Sequence, residues 1–555
     1  MDEFDVIVIG SGVAGLTAAL TASLQGASCL VLEHLDRFGG TSARSSGSVW
    51  VPDNPWMREA GRGGDREAAE NYLDGLVGAK APREKRIRFL DDGPRMLADL
   101  SERAGIGFAP LTQSADYRQD VPGAAPGWRA LGPLEFDGRR LGPRFEDIAA
   151  PLPELTLFGG MMVTRPEAAQ LLRADRSFGA FALGARLLLR HLRDRLRWSR
   201  GARLVLGNAL VARLFEAAQA RGVRLVRNAE TVSLRRSGGR VAGVVLKDGR
   251  EIAARRAVIL AGGGFPASAE WRAAELPAPV AAHSPASPGA VGATIRLGLD
   301  AGAALGPSGL DNALWFPSSI ATRKDGSTAV YPHIVLDRAK PGSFIVDGSG
   351  RRFANEAVSY HEFVRAMYRA GPGAFPAWMI ADRAFVKRYG IGLIRPRALS
   401  LRAHVRSGYL KEAATMDALA DEIGVPPAAL SATAARFNGF AASGRDEDFG
   451  RGESLYDRGN GDPAHGPNPC LGPLTRPPYY AVALWPTPLG TSRGIETDAE
   501  ARALDASGAP VPGLYAVGND MQSIFGGEYP GAGAQLGQAM TFGWIAARHA
   551  LGANS

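Results

Sequence analysis

The chain has 555 residues, 45% of them apolar and 22% charged, proportions that exclude a disordered or fibrous protein. Its formal charge of +8 comes from 64 basic and 56 acidic residues; seven of the basic residues are Lys, and the arginines are spread along the whole length, which reads as compositional bias and not as a nucleic-acid patch. The two cysteines, Cys29 and Cys470, exclude a Cys-X-X-Cys centre or a cysteine-ligated zinc site, and the eight histidines lack metal-ligand spacing, so no metal is expected.

The first residues, Asp2-Glu3, are acidic and lead straight into an apolar strand, so no signal peptide is expected. No apolar run reaches spanning length, and the expectation is a cytoplasmic protein. Phe4-Asp5-Val6-Ile7-Val8-Ile9 is β-branched and of strand length. Gly10-Ser11-Gly12-Val13-Ala14-Gly15 follows, and Leu16 to Ala22 then has helical character. Strand before and helix after give this glycine motif its meaning as a dinucleotide site. Gly10 allows the turn, Gly12 lets the backbone approach a pyrophosphate, Gly15 lets helix and strand pack, and the helix N-terminus offers its N–H groups to the phosphates. A second strand, Cys29 to Leu32, ends at Glu33, 23 residues after Gly10. That carboxylate suits ribose hydroxyls and would repel a 2′-phosphate, which disfavours NADP.

The loop Phe38 to Gly47 is a second glycine- and hydroxyl-rich segment, with Gly40, Thr41, Ser42, Ser45 and Gly47 as cofactor candidates. In flavoproteins of the glutathione-reductase-like fold such a loop wraps the remaining phosphate and reaches towards the flavin. Arg256 to Phe265 is a buried-strand run ending in Ala261-Gly262-Gly263-Gly264, and Gly513 to Asp520 is a strand and turn carrying Gly518 and Asn519. Val232, in the small sheet between these segments, joins the cofactor set. All four pieces in this order identify FAD as the cofactor. No second strand–glycine–helix unit occurs mid-chain, so no separate nicotinamide domain is expected.

Asp248-Gly249 reads as a hairpin turn closing that small sheet. The texture turns Pro- and Gly-rich from about residue 272 to 487 before returning to the terminal cofactor segment. The expected organisation is an α/β, Rossmann-like FAD-binding domain over 1–271 and 488–555, with an α+β catalytic domain inserted over 272–487. One segment, Arg186 to Arg203, sets Leu188, Leu192 and Leu196 at helical spacing among Arg186, Arg190, Arg193 and Arg197. Two readings stand: a basic amphipathic helix at a membrane surface or near a quinone, or, as the favoured reading, a solvated helix packing its leucines on the core.

The motifs together resemble the fumarate reductase/succinate dehydrogenase flavoprotein superfamily, and within it the 3-ketosteroid dehydrogenases, above all the Δ1 enzymes. The resemblance runs nearly the full length. It rests on Gly39-Gly40-Thr41-Ser42 with Trp50-Val51-Pro52-Asp53-Asn54, on Gly350 to Glu356 with Tyr360, on Asp446 to Gly452, and on Tyr529-Pro530-Gly531-Ala532-Gly533 followed by Leu536-Gly537 and Met540 to Gly543. The last signature is the specific one. Ser46 departs from the usual glycine, and Gly292-Ala293-Thr294 lacks the usual aspartate.

The resemblance implies oxidation of a saturated carbon pair beside a ring ketone, an α-proton leaving to a base and a hydride passing to flavin N5. It gives the Tyr529 hydroxyl and the Gly533 N–H the ketone oxygen, Tyr360 the α-proton, and Tyr117 a supporting place beside that base. Leu536 joins the cofactor set on the same ground. The implied partners are a hydrophobic ketone such as a steroid and a quinone-like electron acceptor, with peripheral contact at the inner membrane face left open. A dicarboxylate enzyme is disfavoured, because Gly531 to Leu536 holds no Arg. A Δ4-ketosteroid dehydrogenase, a dehydrogenase of another bulky cyclic ketone and a non-catalytic flavoprotein remain as alternatives.

Overall fold

The computed structural model describes residues 2–171, 174 and 177–552; residue 1 and residues 553–555, at the outer limits of the expected domains, lie outside the described residues. By contact the chain divides into two compact units. The first joins Met1–Leu276, Ala286–Leu314 and Gly490–Ser555; the second joins Pro277–Pro285 and Trp315–Leu489. Residues 286–314 therefore group with the first unit rather than with the segment 272–487. The reason is local: the helix Ala293–Asp300 packs on strands of the first unit, and Ser287 N–H donates to Thr41 Oγ1 at 3.0 Å.

In chain order the first unit begins with β1 (Asp2–Ile9), α1 (Val13–Leu24), β2 (Cys29–Leu32) and the short β3 (Val49–Trp50). It continues with α2 (Phe178–Arg195), α3 (Leu206–Ala220), β4 (Arg224–Val226), β5 (Thr231–Ser237), β6 (Arg240–Leu246) and β7 (Glu251–Leu260). It closes with β8 (Arg502–Leu504), β9 (Pro510–Ala516) and α4 (Ala534–Ala550). Eight of these strands form one sheet in the order β8-β9-β7-β1-β2-β4, with β6 and β5 branching from β7. The pairs β9–β7, β7–β1, β1–β2 and β2–β4 are parallel, in the register Val6↔Cys29, Val8↔Ile259 and Val258↔Leu514. Parallel strands covered on both faces read as continuous apolar runs, which is why Val6–Ile9, Cys29–Leu32 and Ala257–Leu260 are buried residue after residue. The β6–β7 hairpin turns at Asp248-Gly249, with Gly249 at φ +85°.

The second unit is built on a six-stranded sheet of Thr328–Pro332, Ala313–Thr322, Tyr479–Thr491, Ala377–Asp382 and Ser343–Val346 in that order, with Lys411–Ala413 added on Tyr479–Thr491. Phe344, Val346, Ile380, Leu430, Phe437 and Leu471 share its core, where the helix Pro427–Ser443 covers the sheet.

The favoured reading of the Arg186–Arg203 segment is corrected here. α2 starts earlier, at Phe178, and buries Ala180, Leu187, His191 and Asp194, whereas Leu192 and Leu196 face solvent. Two polar groups occupy the inner face because each completes a hydrogen bond there. His191 Nε2 bonds the Phe158 carbonyl at 2.9 Å, and Asp194 accepts from Ala202 N–H at 2.9 Å.

Candidate flavin site and tyrosine pair

The four glycine motifs meet because the strands preceding them are neighbours. β9, β7, β1 and β2 lie side by side and all parallel, so their C-terminal ends share one edge of the sheet, where α/β folds bind ligands. Gly10 N–H donates to the Leu32 carbonyl, Ala261 N–H to Ile9 and Val517 N–H to Leu260, which fastens the four strand ends to one another. At Gly10, φ is +109° and an added Cβ would lie 2.2 Å from the Ala261 carbonyl oxygen, so only glycine fits. Gly15 packs in turn over the Gly10 carbonyl, and Gly518 approaches Ala14 in the first turn of α1.

The residues around this edge fit a dinucleotide. The N-terminus of α1, capped by Gly12, carries no side-chain cap and no acid in its first turn, leaving a positive helix end for phosphate. A Cβ on Gly12 would meet only Ser42 Oγ, at 3.4 Å, and one on Gly40 would meet nothing within 4 Å, so both backbones border open space. Gln535 Nε2 is buried without a partner among the described residues, beside Leu536 at the start of α4. Glu33 is 5% exposed; one carboxylate oxygen accepts from Ser11 N–H at 3.3 Å and Ser11 Oγ at 2.6 Å, the other from Leu35 N–H at 3.0 Å. Burial pushes this carboxyl up, but His34, Ser11 and the Leu35 N–H together hold it below its ordinary value, which keeps it an ionised hydrogen-bond acceptor.

The second loop is held rigidly. Ser42 Oγ accepts from Val13 N–H at 3.1 Å, Ser45 Oγ donates to the Ser42 carbonyl at 2.8 Å, and Gly47 N–H donates to Ser45 Oγ at 3.0 Å. Ser46 hydrogen-bonds Ser48 within the same turn. Val232 sits on β5 with its side chain 47% exposed; the nearest tie to the acidic strand end is Ala229 N–H, which donates to the Glu33 carbonyl at 2.9 Å.

Two residues outside the expected set organise this edge. Asp520 is fully buried and accepts from Gly262 N–H at 2.6 Å and Gly264 N–H at 2.9 Å, joining the glycine run after β7 to the turn after β9. Burial raises its carboxyl, and Thr294, in the segment that departs from the family pattern, hydrogen-bonds it. Asn208 in α3 donates to the Ala43 carbonyl at 2.7 Å and accepts from Arg200 at 2.6 Å, pinning the second loop from behind. Its signal in the sequence is an Asn inside the apolar helical run Leu206 to Leu214.

The structure brings three of the four expected catalytic residues together in the first unit. The Tyr117 and Tyr529 rings stack with centroids 5.4 Å apart at 28°. Tyr117 N–H and the Tyr72 hydroxyl both donate to the Pro530 carbonyl, at 2.9 and 2.7 Å, so the two loops are tied directly. Gly533 is the N-cap of α4 at φ +94°, and its carbonyl accepts from Trp50 N–H at 3.1 Å. Beneath Tyr117, the third unexpected residue, Asp116, is buried and takes Trp50 Nε1 at 2.8 Å, Ala125 N–H at 2.9 Å and Arg129 at 2.6 Å; Arg129 also grips Asp65 with two nitrogens. Tyr360 belongs to the second unit, as the first residue of the helix Tyr360–Ala370, with its ring edge-on to Phe316 at 4.7 Å. Ser359 caps that helix, accepting from Glu362 N–H.

The two remaining family motifs are joined within the second unit. Arg352 grips Glu356 and Asp446, and Arg451 bonds Glu356, all of them buried. They act as a structural clasp.

A parallel sheet with these loops at its C-terminal edge and the N-terminus of α1 facing them defines a dinucleotide-binding protein. Residues 5–536 match the family described as FAD binding domain. The chain is 37% identical to a 3-oxosteroid 1-dehydrogenase of Mycobacterium tuberculosis over 99% of this chain and 98% of that one. It is 36% identical to a 4-oxocyclohex-2-ene-1-carboxylate 5-dehydrogenase of Sinomonas cyclohexanicum, covering 98% and 93%. The 3-ketosteroid Δ1-dehydrogenase of Sterolibacterium denitrificans, solved with 1,4-androstadiene-3,17-dione, superposes with a TM-score of 0.93 at 35% identity over 100% of both chains. The chain belongs to the FAD-dependent oxidoreductase family of the 3-oxosteroid 1-dehydrogenases.

Proposed function

We propose that the protein dehydrogenates a 3-ketosteroid, placing a double bond between C1 and C2. The stacked Tyr117–Tyr529 pair beside Gly533 carries this reading. A C–H next to a ketone is a weak acid until donors hold the oxygen and take up the charge that develops there. The Tyr529 hydroxyl and the Gly533 N–H supply those donors: the first is fixed by the tie of its loop to Tyr117 and Tyr72, the second by its place at a helix N-terminus. Tyr360 takes the α-proton, a role carried over from the family motif, and Tyr117 supports the proton transfer. Bound FAD supplies the acceptor for the hydride. Gly12, Ser42, Glu33 and Gly518 would hold it.

A quinone-like compound is proposed as the electron acceptor, and the inner membrane face as the place where enzyme and acceptor meet. The relative from Sinomonas favours a second reading, since it matches almost as well as the steroid enzymes and acts, by its name, on a small oxocyclohexene carboxylate. Anaerobic mixing of the yellow protein with 4-androstene-3,17-dione separates the two. Bleaching of the flavin with a new C1–C2 alkene in the product is the expected result. No bleaching with the steroid, together with bleaching by 4-oxocyclohex-2-ene-1-carboxylate, would replace it with the second. Tyr529→Phe is expected to retain FAD and lose turnover by about 10²-fold or more.

A further inference from the structure

Helix α2 presents an apolar face to solvent. At about 100° per residue, Phe178, Phe181, Leu189, Leu192 and Leu196 fall within an arc of about 80°, opposite the inner face of Ala180, Leu187, His191 and Asp194. Their exposures run from 54% at Leu192 to 88% at Leu196. Phe158, 69% exposed, lies in a loop tied to the same helix by its own carbonyl to His191 and by the Gly159 carbonyl to Arg195. Six of the fourteen large apolar side chains exposed among the described residues thus gather on this one feature, which scattered surface leucines do not explain.

The charges around the stripe select its occupant. Arg186, Arg193 and Arg197 run along one flank and Arg195 along the other, all exposed. The one acid within the helix, Asp194, is turned inward and spent on Ala202 N–H. A second copy docked about a twofold axis would set this patch against itself and bring its arginine rows together with no exposed carboxylate on the helix to pair them. An anionic bilayer takes both parts, the aromatic and leucine side chains entering the acyl boundary and the guanidinium groups resting among headgroup phosphates. Among the described residues no helix is long and apolar enough to cross a membrane, so the helix lies in the interface plane.

We infer that α2, with Phe158 beside it, is the surface by which this protein docks on an anionic lipid bilayer. The inference builds on the proposed meeting with a membrane-borne acceptor, but its readout, vesicle binding, does not depend on the dehydrogenation. Flavin-loaded full-length protein is sedimented with vesicles of phosphatidylcholine alone and of phosphatidylcholine with phosphatidylglycerol at three to one. Binding to the mixed vesicles is expected, weakened by added salt. Leu189→Glu with Leu196→Glu is expected to cut that binding at least tenfold while flavin content and turnover with a soluble dye stay as in the parent. Arg186→Glu with Arg193→Glu and Arg197→Glu is expected to remove the preference for the anionic vesicles. Failure of the parent to bind either vesicle, or binding untouched by the leucine pair, overturns the inference. So does a dimer in analytical ultracentrifugation that the leucine pair dissociates, which would assign the stripe to a second copy.

Discussion

At Gly533 a single missing methyl group decides whether the proposed donor site exists. Its φ of +94° already disfavours any L side chain, and a Cβ would stand 2.2 Å from the Ser48 carbonyl oxygen. Gly533→Ala must therefore swing the N-terminus of α4 away from β3, at a cost of about 1–2 kcal/mol for the dihedral alone. The expected outcome is a lower melting temperature and turnover reduced by about 10²-fold or more, measured side by side with Tyr529→Phe, which should melt as the parent does. Asp116 offers a contrasting case, because it touches neither ring partner through its side chain yet fixes the loop that bears Tyr117. Asp116→Asn keeps an acceptor for Trp50 but removes the charge facing buried Arg129, which retains Asp65. A loss of about 3 kcal/mol is expected in denaturant melts, with kcat falling more than KM and flavin content unchanged.

Elements whose meaning is local were legible in the sequence. Val6–Ile9 followed by Gly10, Gly12 and Gly15 states strand, turn and helix within a dozen residues, and Asp248-Gly249 states its hairpin in two. What escaped depends on partners distant in the chain. Asp520 is joined to Gly262 across 258 residues and Asn208 to Ala43 across 165, so neither pairing leaves a spacing to read. The phase of α2 differs from the expected one for a related reason. Its leucines every fourth residue suggested a buried stripe, but the inner face is chosen by what the neighbouring loops need, an imidazole for Phe158 and a carboxylate for Ala202. Hydrophobic period gives the existence of such a helix and leaves its rotation to its surroundings. Tyr117 and Tyr529 came from the resemblance; no pattern in their two loops announces that the rings stack.

Across the whole chain, tolerance of acid should depend on the clasp in the second unit. Burial alone would raise the Glu356 carboxyl, but Arg352 and Arg451 hold it at about 2. A carboxyl held below its ordinary value stabilises the fold above pH 4 to 5, and that contribution disappears as the pH falls from there through 2. The shift corresponds to about 3 kcal/mol. Melting temperature in the parent should therefore fall steeply between pH 5 and pH 2.5. Glu356→Gln should melt lower at neutral pH and show a shallower fall over that interval; an equally steep fall in both would place the acid-sensitive group elsewhere. The first unit raises a different matter, one of timing. β9, the Gly518 turn and α4 belong to the last of its three chain segments, and roughly 250 residues separate the end of β7 from the start of β9. On a ribosome adding about 5–20 residues per second, β7 waits some 10–50 s without its outer neighbour. For that interval the nascent chain carries a half-built cofactor cradle and an open strand edge, the kind of edge that recruits foreign strands. That edge stays open until the segment carrying β9 emerges, and the cradle lacks its Gly518 side until the same segment has been made.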